Sequence, residues 1–158
     1  MKITLTAAQL GEIEQHARRA LPAEACGLIA GRIDNAGDAL VTALHPSENL
    51  AEGCGSFEID PALHMRLQRN LRGGDEEIIG VYHSHPSGLA EPSAHDARAA
   101  AYAGWVWLIT APRAAGGSGE EATVTRAYLH VSEETSRPAL FEPVELRIQE
   151  KNQFVSAD

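Results

Sequence analysis

The 158-residue chain is short of cysteine, of basic residues and of long apolar runs. Its two cysteines, Cys26 and Cys54, lie far apart and in no C-x-x-C pair. That excludes a disulfide framework, thiolate zinc fingers and thioredoxin-type chemistry. Lys and Arg number 13 against 22 Asp and Glu, a formal charge of −9. An acidic chain gains nothing from neutralising phosphates, so no nucleic-acid partner is expected. No apolar run approaches the roughly 20 residues of a membrane span, so no membrane partner is expected either. The opening Met-Lys-Ile-Thr-Leu-Thr lacks the apolar stretch of a secretory signal, and the expected compartment is the cytoplasm.

What is present suits one folded domain. Hydrophobic residues make up 44% of the chain, enough for a sizeable core at this length. No repeat or linker divides it. Residues 1–150 are expected to form a single domain and 151–158 a disordered tail.

Residues 3–5 read as a short strand. Thr6 then caps a helix with Leu10, Ile13, Ala17 and Leu21 on one face, and Pro22 ends it. Residues 25–33 and 39–44 read as a hairpin around Asn35-Ala36-Gly37-Asp38. A polar loop, 45–55, and a short edge strand, 56–59, follow. Asp60-Pro61 opens a second helix faced by Leu63, Leu67 and Leu71 and stopped by Gly73-Gly74. Residues 78–85 form a strand with a polar end. Ser93 starts an alanine-rich third helix running to about residue 103. Strands at 105–110, 123–131 and 141–148 close the list, with a glycine-rich loop at 113–119. The order implies a mixed α/β (α+β) fold, one sheet flanked by helices.

The chemistry gathers at Tyr82-His83-Ser84-His85-Pro86 and Pro92-Ser93-Ala94-His95-Asp96. Residues two apart on a strand share a face, so His83 and His85 present two imidazoles together. Pro86 helps to end that strand. With Ser93 as N-cap, Asp96 falls in the first helical turn and can return to the strand end. Two imidazoles and a carboxylate suit zinc, and three ligands leave a fourth tetrahedral position for water. Glu24, at the mouth of the apolar strand 25–29, is the candidate general acid/base. Poor solvation there should raise its pKa. Gly27 would let backbone or substrate approach closely.

Each residue also has a plainer reading. A lone His pair is most often a surface or packing feature. Ser93-x-x-Asp96 is a capping-box variant that needs no metal, yet the cap and the ligand are compatible. His95 is expected to face solvent, and His16, His45, His64 and His130 to be surface or core residues. Cys26 reads as strand packing, and Cys54 as a distant candidate thiol ligand.

The full set, Glu24 upstream, then His83-Ser84-His85-Pro86, six residues, Ser93, two residues and Asp96, resembles the JAMM motif of the MPN-plus metallopeptidases. Pro22-Ala23-Glu24-Ala25-Cys26-Gly27-Leu28-Ile29, Phe57-Glu58-Ile59-Asp60-Pro61 and Ile79-Gly80-Val81-Tyr82 look like the small bacterial, Mec-like branch of that family. The resemblance implies an MPN/JAB-type domain, a curled sheet related in architecture to the cytidine deaminases. It implies one zinc ion (Zn2+) held by His83, His85 and Asp96, with Glu24 as general acid/base. It further implies that Ser93 donates to the oxyanion. The implied partner is a ubiquitin-like or sulfur-carrier protein with a Gly-Gly-type C-terminus, cut at an amide or isopeptide bond, for example to release cysteine. Short loops at 45–55 and 111–122 argue against a second ubiquitin clamp. Deaminase and thermolysin-type chemistry are excluded because H-x-E with P-C-x-x-C, and H-E-x-x-H, are absent. A non-catalytic scaffold of the same fold and an amidase for a small peptide-like metabolite are the alternatives.

Overall fold

A computed structural model describes residues 1–86, 88–112, 123–131 and 140–150. In chain order these form β1 (Lys2–Thr6), α1 (Ala7–Ala20), β2 (Cys26–Ile33), β3 (Ala39–Ser47), α2 (Pro61–Leu71), β4 (Glu77–Ser84), α3 (Ala94–Ala99), β5 (Val106–Ala111), β6 (Val124–His130) and β7 (Phe141–Gln149). The expected tail, the glycine-rich loop at 113–119 and most of the 111–122 loop lie outside the described residues. The sheet curls until it closes, in the order β1-β3-β2-β4-β5-β6-β7 with β7 back on β1. This is the mixed α/β architecture expected from the order of elements. Among the described residues, no helix is long and apolar enough to cross a membrane.

Local chemistry fixes the helix starts. The Thr6 hydroxyl accepts the Gln9 N–H at 3.1 Å, and the Gln9 side chain accepts the Thr6 N–H at 2.8 Å. Two otherwise unpaired donors are thereby satisfied reciprocally. Asp60 accepts the Ala62 N–H, with Pro61 at the first helical position. Leu21 departs from the expected apolar stripe. It lies just past α1, in an extended conformation, and is 39% exposed.

Strand alternation sorts the core into two clusters. Along β5, Val106 and Leu108 join Ile3, Leu5, Ile13, Ile29 and Tyr82, beneath α1. Trp107 and Ile109 face the other way, with Leu28, Leu67 and Val81, beneath α2. Burying each of the large aliphatic side chains contributes roughly 1.5–3 kcal/mol. β4 and β5 are parallel and approach closely at Gly80, where a Cβ would lie 1.9 Å from the Val106 carbonyl oxygen.

The largest departures from the expected boundaries lie in β3, the edge strand and α3. β3 runs three residues past the expected end, carrying Pro46 and Ser47, because its ladder with β2 continues to Cys26–Ser47. The edge strand at 56–59 reduces to one bridge between Asn49 and Ile59. α3 stops at Ala99, well before residue 103. There tertiary contacts override alanine's helix propensity. The Tyr102 ring stacks on Trp105 with centroids 4.3 Å apart, and its carbonyl pairs with His130 Nδ1 at 2.7 Å.

Candidate metal and catalytic site

The site forms where β2 begins and β4 ends. Cys26 lies opposite His83 in the antiparallel ladder, and the Ser84 N–H donates to the Ala25 carbonyl one pair further on. His85 is one residue past β4, not inside it as expected. Its N–H still donates to the Thr110 carbonyl at 2.8 Å, so the extended course holds and both imidazoles stay together.

Asp96 arrives from α3 through its cap. The Ser93 hydroxyl accepts the Asp96 N–H at 3.1 Å, and Asp96 Oδ2 accepts the Ser93 N–H at 2.7 Å. The carboxylate is thus fixed by the geometry that starts the helix. Its Oδ1 lies 3.2 Å from His83 Nε2 and its Oδ2 3.2 Å from His85 Nε2, and the two Nε2 atoms are 2.9 Å apart. Among the described residues, this is the one group of three ligand-type side chains whose atoms could hold a metal ion. Ligand atoms of a tetrahedral zinc site with bonds of 2.0–2.1 Å stand about 3.3 Å apart. The donor set and its spacing therefore fit zinc.

The surroundings prepare these donors. His85 Nδ1 donates to the Leu89 carbonyl at 3.0 Å, which in the neutral ring leaves the Nε2 lone pair for a metal. The next residue, Ala90, is tied to β6 by the Tyr128 hydroxyl, which donates to its carbonyl at 2.8 Å. His83 is wholly buried. Phe57 stacks on its ring at 4.4 Å, and Trp107 meets it edge-on at 5.6 Å. His83 Nδ1 has no hydrogen-bond partner among the described residues.

Burial lowers the His83 pKa and favours the neutral, ligating imidazole. Burial also acts against protonated His85, but hydrogen bonds to Asp96 and Leu89 outweigh it and the net shift is upward. For Asp96, burial pushes the pKa up. Hydrogen bonds from both imidazoles pull it back well below the usual carboxylate range.

Glu24 is buried, and its Oε2 has no partner among the described residues. Desolvation raises its pKa from 4.5 to about 7. The nearby His85 opposes the rise and Asp96 adds to it. The expectation of a raised carboxyl is met, and Glu24 shares the electrostatic environment of His85 and Asp96.

Glu24, His83, His85, Ser93 and Asp96 are thus brought to one place. His95 is exposed and Cys26 buried, as expected. The exposed Cys54 is not in the ligand group. Gly27 does make a close approach, but to the Tyr82 ring, which would sit 2.4 Å from an added Cβ. It therefore serves packing and is not open to substrate. Sequence reasoning gave no role to Ser84, whose hydroxyl accepts the Ala25 N–H at 2.9 Å, or to Asn49, whose amide binds the Glu24 carbonyl at 3.1 Å. Period-two alternation sets Ser84 apart from the flanking histidines. No spacing rule singles out Asn49.

Known proteins resemble this chain. Residues 6–129 match the family described as prokaryotic homologs of the JAB domain. A desampylase of Haloferax volcanii is 35% identical over 116 residues, covering 70% of this chain and 81% of the relative. The CysO-cysteine peptidase of Mycobacterium tuberculosis is 32% identical over 85 residues. That match covers 54% of this chain and 56% of the relative. The solution structure of a Desulfitobacterium hafniense protein superposes with a TM-score of 0.77 at 30% identity, covering 99% of each chain. With most of its length matched, the chain belongs to the prokaryotic JAB-domain family, the JAMM/MPN type whose motif its sequence carries.

Proposed function

We propose that the protein is a zinc-dependent peptidase. Its substrate would be an amide or isopeptide bond at the C-terminal tail of a ubiquitin-like or sulfur-carrier protein. The observation that carries this reading is the convergence of His83 Nε2, His85 Nε2 and the Asp96 carboxylate beside a buried Glu24 whose Oε2 has no partner among the described residues. The names of two relatives, a desampylase and a CysO-cysteine peptidase, support the substrate class.

His83, His85 and Asp96 would hold the zinc, which when bound supplies a Lewis acid and a water acidified to a pKa of about 7. The protein's own residues do the rest. Glu24 takes the proton of the attacking water and delivers it to the leaving nitrogen. A pKa of about 7 suits both transfers near neutral pH. The Ser93 oxygen is used as an acceptor by the Asp96 N–H, and its hydroxyl hydrogen meets no acceptor among the described residues. Ser93 can therefore cap the helix and donate to the developing oxyanion with the same group. A Gly-Gly tail, lacking side chains, can lie extended in a narrow cleft.

The test is hydrolysis of a Gly-Gly-ended carrier adduct beside a short peptide of the same terminal sequence. The expected result is about one zinc per chain, preference for the adduct, and an inactive Glu24→Gln that keeps its metal. Equal cleavage of the short peptide would favour a small-molecule amidase. Protein that neither holds zinc nor gains activity on its addition would refute the reading.

A further inference from the structure

Asn49 sits just past β3, half-buried between exposed Glu48 and Leu50. Its side chain makes four hydrogen bonds. Nδ2 donates to the Glu24 carbonyl at 3.1 Å and to the Ser56 carbonyl at 3.0 Å. Oδ1 accepts the Ala51 N–H and the Glu58 N–H, each at 3.0 Å. A carboxamide offers two donor hydrogens and two acceptor lone pairs, so its full capacity is engaged. An exposed loop asparagine gains no such set by chance contacts with water. This one joins three stretches of chain: the start of β2, the turn after β3 and residues 56–58.

Both ends of that network reach the site. The Glu24–Ala25 peptide unit is held from two sides, its carbonyl by Asn49 Nδ2 and its N–H by Ser84 Oγ at 2.9 Å. Fixing that plane fixes the direction in which Glu24 leaves the backbone. Phe57, between Ser56 and Glu58, is the ring stacked on His83.

We infer that Asn49 is a positioning residue for the reaction. It aims Glu24 through its carbonyl and seats Phe57 against His83. The inference rests on the proposed role of Glu24. Its physical basis is that a carboxyl displaced by an ångström loses the geometry proton transfer requires, at a cost of about 100-fold in rate.

Asn49→Asp and Asn49→Ala separate its two halves. Asp keeps the acceptors for Ala51 and Glu58 but cannot donate to Glu24 or Ser56, whereas Ala removes all four bonds. Kinetics on the carrier adduct are normalised to zinc content. Amide hydrogen exchange is followed in the metal-free protein. For Asn49→Asp, kcat should fall about 10- to 100-fold with KM within about 2-fold. Zinc should stay at one per chain, with Ala51 and Glu58 still exchanging slowly. Asn49→Ala should lose kcat and also the slow exchange at those two amides. The inference is overturned if Asn49→Asp keeps kcat within twofold at full zinc, or if the Ala variant leaves both amides protected. It is equally overturned if neither variant folds and holds zinc, because Asn49 is then a structural residue alone. Glu24→Gln is assayed alongside. If it retains the parent kcat, the role of Glu24 itself fails. If it is inactive while Asn49→Asp runs at full speed, only the role of Asn49 fails.

Discussion

Cys26 and His83 face each other across β2 and β4, and the ladder ends one pair later with Ala25 and Ser84. The next residues out are Glu24 and His85. They leave adjacent strands at the same end, so the carboxyl and the second imidazole share one patch although 61 positions part them in the chain. Each contributes to the pKa of the other.

The buried carboxyl should register in stability as well as in rate. Glu24 titrates near 7 in the folded protein against an ordinary 4.5. Between those values the native state retains a proton that the unfolded chain has released. The associated stability is full below about pH 4.5 and is lost as pH rises through about 7, to the extent of about 3 kcal/mol. Metal-free Glu24→Gln has no such term. Denaturant midpoints of the two proteins at pH 4.5 and pH 8 test this, and parallel pH slopes would count against a raised Glu24.

Ser93 caps α3 and is proposed to serve the oxyanion, and the two roles separate by substitution. Ser93→Ala should cost about 1 kcal/mol by loss of the cap. It should also lower kcat by about 100- to 1,000-fold if the hydroxyl also serves the oxyanion. Ser93→Thr keeps both groups and should stay within about tenfold of the parent. A Ser93→Ala enzyme that melts early yet turns over normally would leave only the cap.

The ligands should differ in what else their loss disturbs. His85→Ala should abolish tight zinc binding with a smaller change in melting of the metal-free protein than Asp96→Ala, since its ring lies outside β4 and takes no part in the α3 cap. Asp96→Ala should lose the metal and also destabilise by about 1 kcal/mol, because the carboxylate accepts the Ser93 N–H. Zinc titration and thermal melts of chelated samples compare them. Equal melting losses would contradict the capping role.

Two glycines should respond oppositely to alanine. Gly80→Ala drives a methyl to 1.9 Å from a backbone oxygen of β5, and the protein should fail to fold or melt far earlier. Gly11→Ala, in α1 with nothing within 4 Å of the new Cβ, should stabilise by about 0.5–1 kcal/mol. Thermal melts decide both.

The motif residues were readable because local rules fix them. Strand alternation pairs His83 with His85, and a serine cap sets where Asp96 points. Glu24 was readable as a carboxyl at the edge of an apolar strand. The supports were not, because they are long-range. Asn49 acts on a residue 25 positions away, and Ser84 on one 59 away. The early end of α3 was hidden for the same reason. Alanines 99 to 101 are helix formers, and it is the packing of Tyr102 on Trp105 and its bond to His130 that draw the chain out.

β1 is five residues long, yet it is bonded on both flanks, to β3 and to β7. Losing it would remove two ladders at once and slit the wall open. Two bare strand edges would then be offered, on which other copies of the chain can pair. The first six residues, which supply none of the candidate site residues, should therefore guard the protein against self-association. Clipping them should show as light scattering before it shows as lost activity.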